Sequence, residues 1–392
     1  MGMPCVVDDI RPYLLYEYKN KENKFAIGSV SRDRFIEVDE SKKNTVMQAI
    51  DLMDGNHSYE EIENTVKAET GAVIDAENLY SVLEKAGLLA EEDKAAPSRS
   101  EFETLGLKLF EAKITKLRSF FKALSHLTFP TALITAAAIV FTVVFGIVNS
   151  RYVSSMSLLG FEGHYLRNIV TIVLIMGASI MLHEFAHGIA ASKYGIIPQK
   201  ISVSLYLYVS PIVYIKLPGL YTIKPRERIS VWLAGVTVNA LLLCTGFISA
   251  ILLSQHGGSE FMISAMNYLW YVNLVFIVVN LCPLMPLDGY FVLATLLKIP
   301  NLRSRSFASI RNSIRNKSVQ MTPGQMLYFL LSVIAMGYIF LKEIFAMAEI
   351  FSKNLDNGIG SAFWSIKHYL LLILLIFMIK FVRAKKLRRE SV

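Results

Sequence analysis

The 392-residue chain is short of charge, of cysteine and of tryptophan. Only 18% of its residues are Asp, Glu, Lys or Arg, while 53% are hydrophobic. Soluble domains carry about 25% charge, so an ordinary soluble enzyme is disfavoured and a membrane protein is indicated. Cys5, Cys244 and Cys282 are far apart, and two of them lie in apolar runs. That spacing argues against a disulfide framework and against a cysteine-type zinc site. The first residues are polar and lack an apolar core, so no secretory signal peptide is expected. Internal repeats and low-complexity tracts are also missing.

The charge that is present is unevenly spread. Residues 1–95 carry 20 Asp/Glu and 11 Lys/Arg, a net of −9, and the remainder carries 12 and 29, a net of +17. An acidic cytosolic domain joined to a basic membrane portion is the expected organisation. The basic excess fits topology and contact with the anionic lipid bilayer. Nucleic acid is not an expected partner: the N-terminal domain's net of −9 argues against it, because phosphate contacts need Lys and Arg.

In the acidic part, Phe25–Gly28 and Phe35–Val38 alternate as short strands. Helices are predicted over 42–53, 58–69 and 75–86. Asp54-Gly55 ends the first, Ser58 with Glu61 forms a capping box for the second, and Asp75 and Gly87 bound the third. Residues 96–127 read as a linker and a basic amphipathic helix over 102–126, carrying Lys108, Lys113, Lys116, Arg118 and Lys122, on the cytoplasmic membrane surface. Six apolar segments reach spanning length: about 128–148, 168–191, 229–253, 262–281, 325–345 and 367–384. The Lys/Arg-rich segments 108–122, 200–228, 298–317 and 380–389 then share one side, placing both termini in the cytoplasm. The expected fold is mainly α: a polytopic membrane protein of about six transmembrane helices with a short β insertion and a small N-terminal α+β winged-helix-like domain. Residues 1–95 form that domain, 128–300 the membrane core, and 301–392 the C-terminal helices and basic tail.

The second span contains His183-Glu184-Phe185-Ala186-His187. Histidines at i and i+4 share one helical face. That spacing lets both imidazoles bind one Zn2+ and leaves Glu184 as general base for the hydrolytic water. The bland alternative is a pair of core histidines with an incidental acid, but ionisable groups within a span are costly and usually functional. A catalytic zinc normally has three protein ligands, and Asp288 is the candidate third. It follows an apolar run broken by Pro283 and Pro286, and irregular backbone at membrane depth is tolerated only in a protein-lined cavity. Taken alone, Asp288 also reads as a cap on a helix after a proline turn.

His183–His187, together with Asn280, Pro283, Pro286, Asp288 and Gly289, resemble the site-2 protease family of intramembrane zinc metalloproteases. The resemblance covers about residues 165–300. It implies His183, His187 and Asp288 as zinc ligands and Glu184 as the residue that activates water. Ala234-Gly235-Val-Thr-Val-Asn239 is similar to that family's small-residue segment, and Asn239 and Asn280 are implied as groups that steady the substrate. Val236 stands where a proline is common and Tyr290 where a second glycine is common, which bears on the substrate pocket.

Ile201–Ser210 alternates with period two, a strand signal. Two readings fit: an edge that holds an extended substrate by strand addition, or a hairpin that caps the bundle. Residues 24–92 resemble PqqD-like domains, which recognise leader peptides of ribosomal peptides. The resemblance rests on the two strands, Thr45–Gly55, Tyr59–Ile62 and Leu79–Leu89. It implies maturation of a precursor peptide, with a peptide-modifying enzyme or an ABC exporter as further partners. Two alternatives stand beside it. One is regulated proteolysis of a membrane-associated regulator such as an anti-sigma factor; the other is a non-catalytic transport or immunity component.

Overall fold

The computed structural model describes residues 3–90, 106–155, 165–206, 210–316, 322–356, 358–367 and 370. They are mainly helical, with a small N-terminal β-sheet. They form two compact units. The first holds the described residues up to Lys298 except the ends of three strands, which group with the second unit from Ile299 onward.

The N-terminal domain is a three-stranded antiparallel sheet, β1 (Ile10–Tyr16), β2 (Lys24–Ser29) and β3 (Arg34–Asp39), in the order β1-β2-β3. Helices α1 (Glu40–Asp51), α2 (Tyr59–Thr70) and α3 (Ala76–Ala86) follow. Ile27, Ile50, Met53, Ile62, Val66, Leu83 and Leu88 form the buried core beneath the helices. The Ser58 capping box is present: the Glu61 amide donates to Ser58 Oγ and the Ser58 amide to Glu61 Oε2. Strand β1 was not expected. Pro12 lies within it, and proline demotes an apolar run when read in sequence. It is tolerated because β1 is an edge strand, where a missing N–H need cost no ladder bond.

The basic segment after the linker departs from expectation. Gly106–Lys113 is a strand, β4, not part of an amphipathic helix; only Arg118–Leu124 (α4) is helical there, after a short 3-10 turn. Tertiary pairing overrides the local pattern. The Ile114 amide donates to the Gln199 carbonyl at 2.9 Å, and Lys200 Nζ bonds Glu111 at 2.7 Å. Ile114 and Phe121 are then buried against Ile201 and Ile215. Strands β5 (Lys200–Tyr206) and β6 (Ser210–Lys216) complete a second sheet in the order β4-β5-β6.

The membrane-type helices are α5 (Thr128–Val148), α7 (Tyr165–Lys193), α8 (Pro225–Gln255) and α9 (Glu260–Leu281), with short α6 (Ser150–Ser155) after the first. Among the described residues these four are long and apolar enough to cross a bilayer, where six spans were expected. Helix α8 packs most extensively, against α9, α7 and α5. It is followed through α9 by α10 (Asp288–Leu296). The second unit contains α11 (Leu302–Asn316), α12 (Pro323–Leu355) and α13 (Ile359–Ser365). The expected fifth span lies in α12, whose described apolar stretch is Pro323–Ala335. The expected sixth, 367–384, lies outside the described residues except for Lys367 and Leu370.

Candidate active site

Helix α7 carries His183, Glu184 and His187, all buried. Asp288 reaches them from the first turn of α10. Pro283 and Pro286 prevent α9 from continuing, and the chain folds back tightly. A Cβ on Gly289 would sit 2.3 Å from the Leu281 carbonyl oxygen, so only glycine permits that return. The fold-back delivers the Asp288 carboxylate to the two imidazoles.

The three groups converge at close range. His183 Nε2 and His187 Nε2 are 3.1 Å apart, Asp288 Oδ2 is 3.2 Å from His183 Nε2, and Asp288 Oδ1 is 3.4 Å from His187 Nε2. Tetrahedral zinc with bonds of about 2.0–2.1 Å separates its ligands by about 3.3 Å. Each imidazole nitrogen therefore meets its neighbour and one Asp288 oxygen, a different oxygen for each ring, at about the separation of zinc ligands, and one ligand atom from each residue lies within 4.8 Å of the other two.

Hydrogen bonding on the far side of each ring supports the same reading. The His187 Nδ1–H donates to the Val231 carbonyl at 2.7 Å. That fixes the tautomer and leaves Nε2 as a bare lone pair. The Asn239 side-chain amide lies 3.0 Å from His183 Nδ1, while its Oδ1 is buried without a partner. Exchanging amide oxygen and nitrogen makes Oδ1 the acceptor of His183 Nδ1–H. In the neutral rings both Nε2 lone pairs then face Asp288. Asp288 Oδ2 is itself buried without a hydrogen bond. Two imidazoles and a carboxylate gathered this closely in a buried site are a donor set that zinc takes, so these residues fit a metal by their donors and spacing.

Helix α8 supplies the back wall. A Cβ on Gly235 would lie 2.5 Å from His183 Cε1, so α8 presses its bare backbone on that ring. The Trp232 ring lies 6.4 Å from His187 and stacks on Phe291 at 4.5 Å. Glu184 is held from a third direction: the Ile215 amide of β6 donates to its Oε2 at 2.8 Å. Lys216 faces the other way, its carbonyl accepting from Gln199. The edge of β6 not paired with β5 is therefore the edge turned to Glu184.

The structure brings together His183, His187, Asp288 and Asn239, with Glu184 beside His183 on the same helix. Asn239 touches a histidine, so it can orient a ligand. Asn280 is half-buried at the end of α9, and no hydrogen bond joins it to the cluster among the described residues. Sequence reasoning did not single out the Val231 carbonyl, the Ile215 amide, Trp232 or Arg228. Two of these are backbone groups without a residue-type signature. Arg228 had been counted only as one of the topology-setting charges.

Over 141 residues, 36% of this chain, the sequence is 30% identical to a Bacillus subtilis (strain 168) protein named "Putative peptide zinc metalloprotease protein YydH". The match covers 52% of that protein, so the chain spans about half the length of the curated relative. No protein-family model matches the chain, and no solved structure does.

Proposed function

We propose that this chain is an intramembrane zinc metalloendopeptidase of site-2 protease type that matures a ribosomally made precursor peptide. The observation that carries the hydrolase reading is the buried convergence of His183, His187 and Asp288, one ligand atom from each within 4.8 Å of the others, with Glu184 adjacent. The relative's name supports the same chemistry. Bound zinc would acidify water and polarise the scissile carbonyl. Glu184, tethered through Oε2 by the Ile215 amide, has Oε1 free to take a proton from the attacking water and return it to the leaving nitrogen. Val231 and Asn239 hold the imidazoles in the tautomer that exposes Nε2. The β6 edge facing Glu184 could align an extended backbone by strand addition, so that an unfolded segment is what the site accepts.

The peptide-maturation part rests on the resemblance of the N-terminal domain to a PqqD-like module: strands β2 and β3 followed by three helices keep the order of that resemblance, with β1 in addition. It also rests on that domain's acidity, which disfavours a nucleic-acid role. In this reading the protein is a multi-pass cell-membrane protein with both termini cytoplasmic. The test uses full-length protein in lipid nanodiscs and a library of unfolded peptides read by mass spectrometry. Zinc-loaded wild type should cleave, with loss on chelation, and Glu184→Gln should bind zinc but not cleave. Cleavage by Glu184→Gln at the wild-type rate would refute the role of Glu184.

A further inference from the structure

Arg228 is an unusual residue to find buried at the start of an apolar helix. It lies in the first turn of α8 and is 1% exposed. Among the described residues no carboxylate pairs with it, and its Nε and Nη1 are buried without a partner. Its Nη2 donates to the carbonyl of Leu15 in strand β1 of the N-terminal domain. The guanidinium also lies over the rings of Tyr16, at 5.0 Å, and Tyr221, at 5.7 Å. Burial pushes the Tyr16 phenol up to about 12, so that ring stays neutral at physiological pH. A buried cation held by a carbonyl and two tyrosines, with no carboxylate among the described residues, is a demanding arrangement.

Its position along α8 matters. One turn on, about 4.5 Å along the axis, the Val231 carbonyl fixes His187, and Trp232 stands beside the same ring. A shift of the α8 start is therefore passed directly to a metal-binding imidazole. The same end of β1 grips the other side of the site. Tyr18 Oη donates to the Lys298 carbonyl at 3.1 Å, the Lys298 ammonium bonds the Glu17 carbonyl, and that ammonium lies 4.7 Å above the Tyr18 ring. Lys298 lies two residues past the end of α10, whose first residue is Asp288. Leu15–Tyr18 thus holds both the helix that orients His187 and the helix that carries Asp288.

We infer that Arg228 is a positioning residue through which the Leu15–Tyr18 end of the N-terminal domain sets the geometry of the His183–His187–Asp288 site. The domain is then part of the site's scaffold as well as a peptide-recognition module. This rests on the metal-site reading of the cluster. It predicts that changes far from the metal, on β1, alter metal affinity.

The test uses the full-length protein and zinc or cobalt alone, with no peptide. Zinc affinity is read by chelator competition, and ligand geometry by the ligand-field absorption of the cobalt form. Arg228→Ala should bind zinc about tenfold more weakly, at the low end of the loss typical of groups that orient a ligand, and should shift the cobalt spectrum. Arg228→Lys, which keeps a donor and a cation beside the tyrosines, should recover most of both. Tyr18→Phe, which removes the hydroxyl that bonds the Lys298 carbonyl, should weaken zinc about threefold, corresponding to part of one hydrogen bond; it decides the matter if Arg228→Ala does not fold. Wild-type affinity and spectrum in a folded Arg228→Ala, or in Tyr18→Phe when Arg228→Ala fails, would overturn the inference. If wild type itself took up no zinc, the underlying site reading would fail instead.

Discussion

Replacing Gly235 by alanine tests the back wall of the site with a single methyl group. Its Cβ would lie 2.5 Å from His183 Cε1, 2.6 Å from Nε2 and 2.7 Å from Nδ1. Ordinary carbon contacts begin near about 3.5 Å, so the ring or α8 must retreat by about 1 Å. The ring's Nε2 stands 3.1 Å from His187 Nε2 and 3.2 Å from Asp288 Oδ2. Displacing that ring by about 1 Å takes the nitrogen beyond the bond length of about 2.0–2.1 Å that zinc requires, unless strain is accepted elsewhere. Overpacking of this kind costs about 1–3 kcal/mol. If the strain falls on the metal-loaded state, at about 1.4 kcal/mol per decade, zinc affinity drops about five- to hundredfold. The assay is chelator competition on full-length protein. Gly177→Ala, on the same helix as His183, is the control: a Cβ there meets nothing within 4 Å, and zinc affinity should not change. Unaltered zinc binding by a folded Gly235→Ala would show that the His183 ring is not held where the geometry puts it.

Other consequences can be measured in parallel. Glu184→Gln should keep stoichiometric zinc while the hydrolysis rate falls by about 10²–10⁴-fold, the usual weight of a general base; single-turnover cleavage separates the two. Asn239→Leu should weaken zinc by about 10–100-fold, whereas Asn239→Asp, which keeps an acceptor for His183 Nδ1–H, should lose less; the reverse order in a metal titration would mean that the amide donates to the ring. Ser58→Ala removes the capping box of α2 and should cost the N-terminal domain about 1 kcal/mol, seen as faster amide exchange in α2 with zinc content unchanged. Hydrogen bonds from Lys108 and Lys200 hold the Glu111 carboxyl down to about 2. Because the folded value lies below the ordinary 4.5, its contribution to β4–β5 pairing is present above that pH and is lost as pH falls towards 2. Amide exchange of β4 should rise over that window in wild type and be flatter in Glu111→Gln.

Much of the candidate site was legible because it is written in residue types with helical spacing. His183 and His187 at i and i+4 define a face, and Pro283 and Pro286 mark the break that turns Asp288 inward. Four of the six expected spans were legible for a similar reason, since long apolar runs have one stable outcome in a bilayer. What escaped depends on partners distant in sequence. β4 is a strand because β5 pairs with it, and its alternation of Lys and apolar residues fits a helix face as well. β1 was hidden by Pro12, which only an edge position tolerates. The Val231 carbonyl and the Ile215 amide do their work as backbone, where side-chain type leaves no mark. Arg228 looked like one more cytoplasmic charge until Leu15, Tyr16 and Tyr221 were seen around it.

The central claim is that three side chains from two helices share one metal ion. Zinc content and zinc X-ray absorption on purified full-length protein address it most directly. The expected result is about one zinc per chain, bound to two imidazoles and a carboxylate at about 2.0–2.1 Å, and lost in His183→Ala and Asp288→Ala. Protein that folds but takes up no stoichiometric zinc, or holds it equally well after either substitution, would contradict the account.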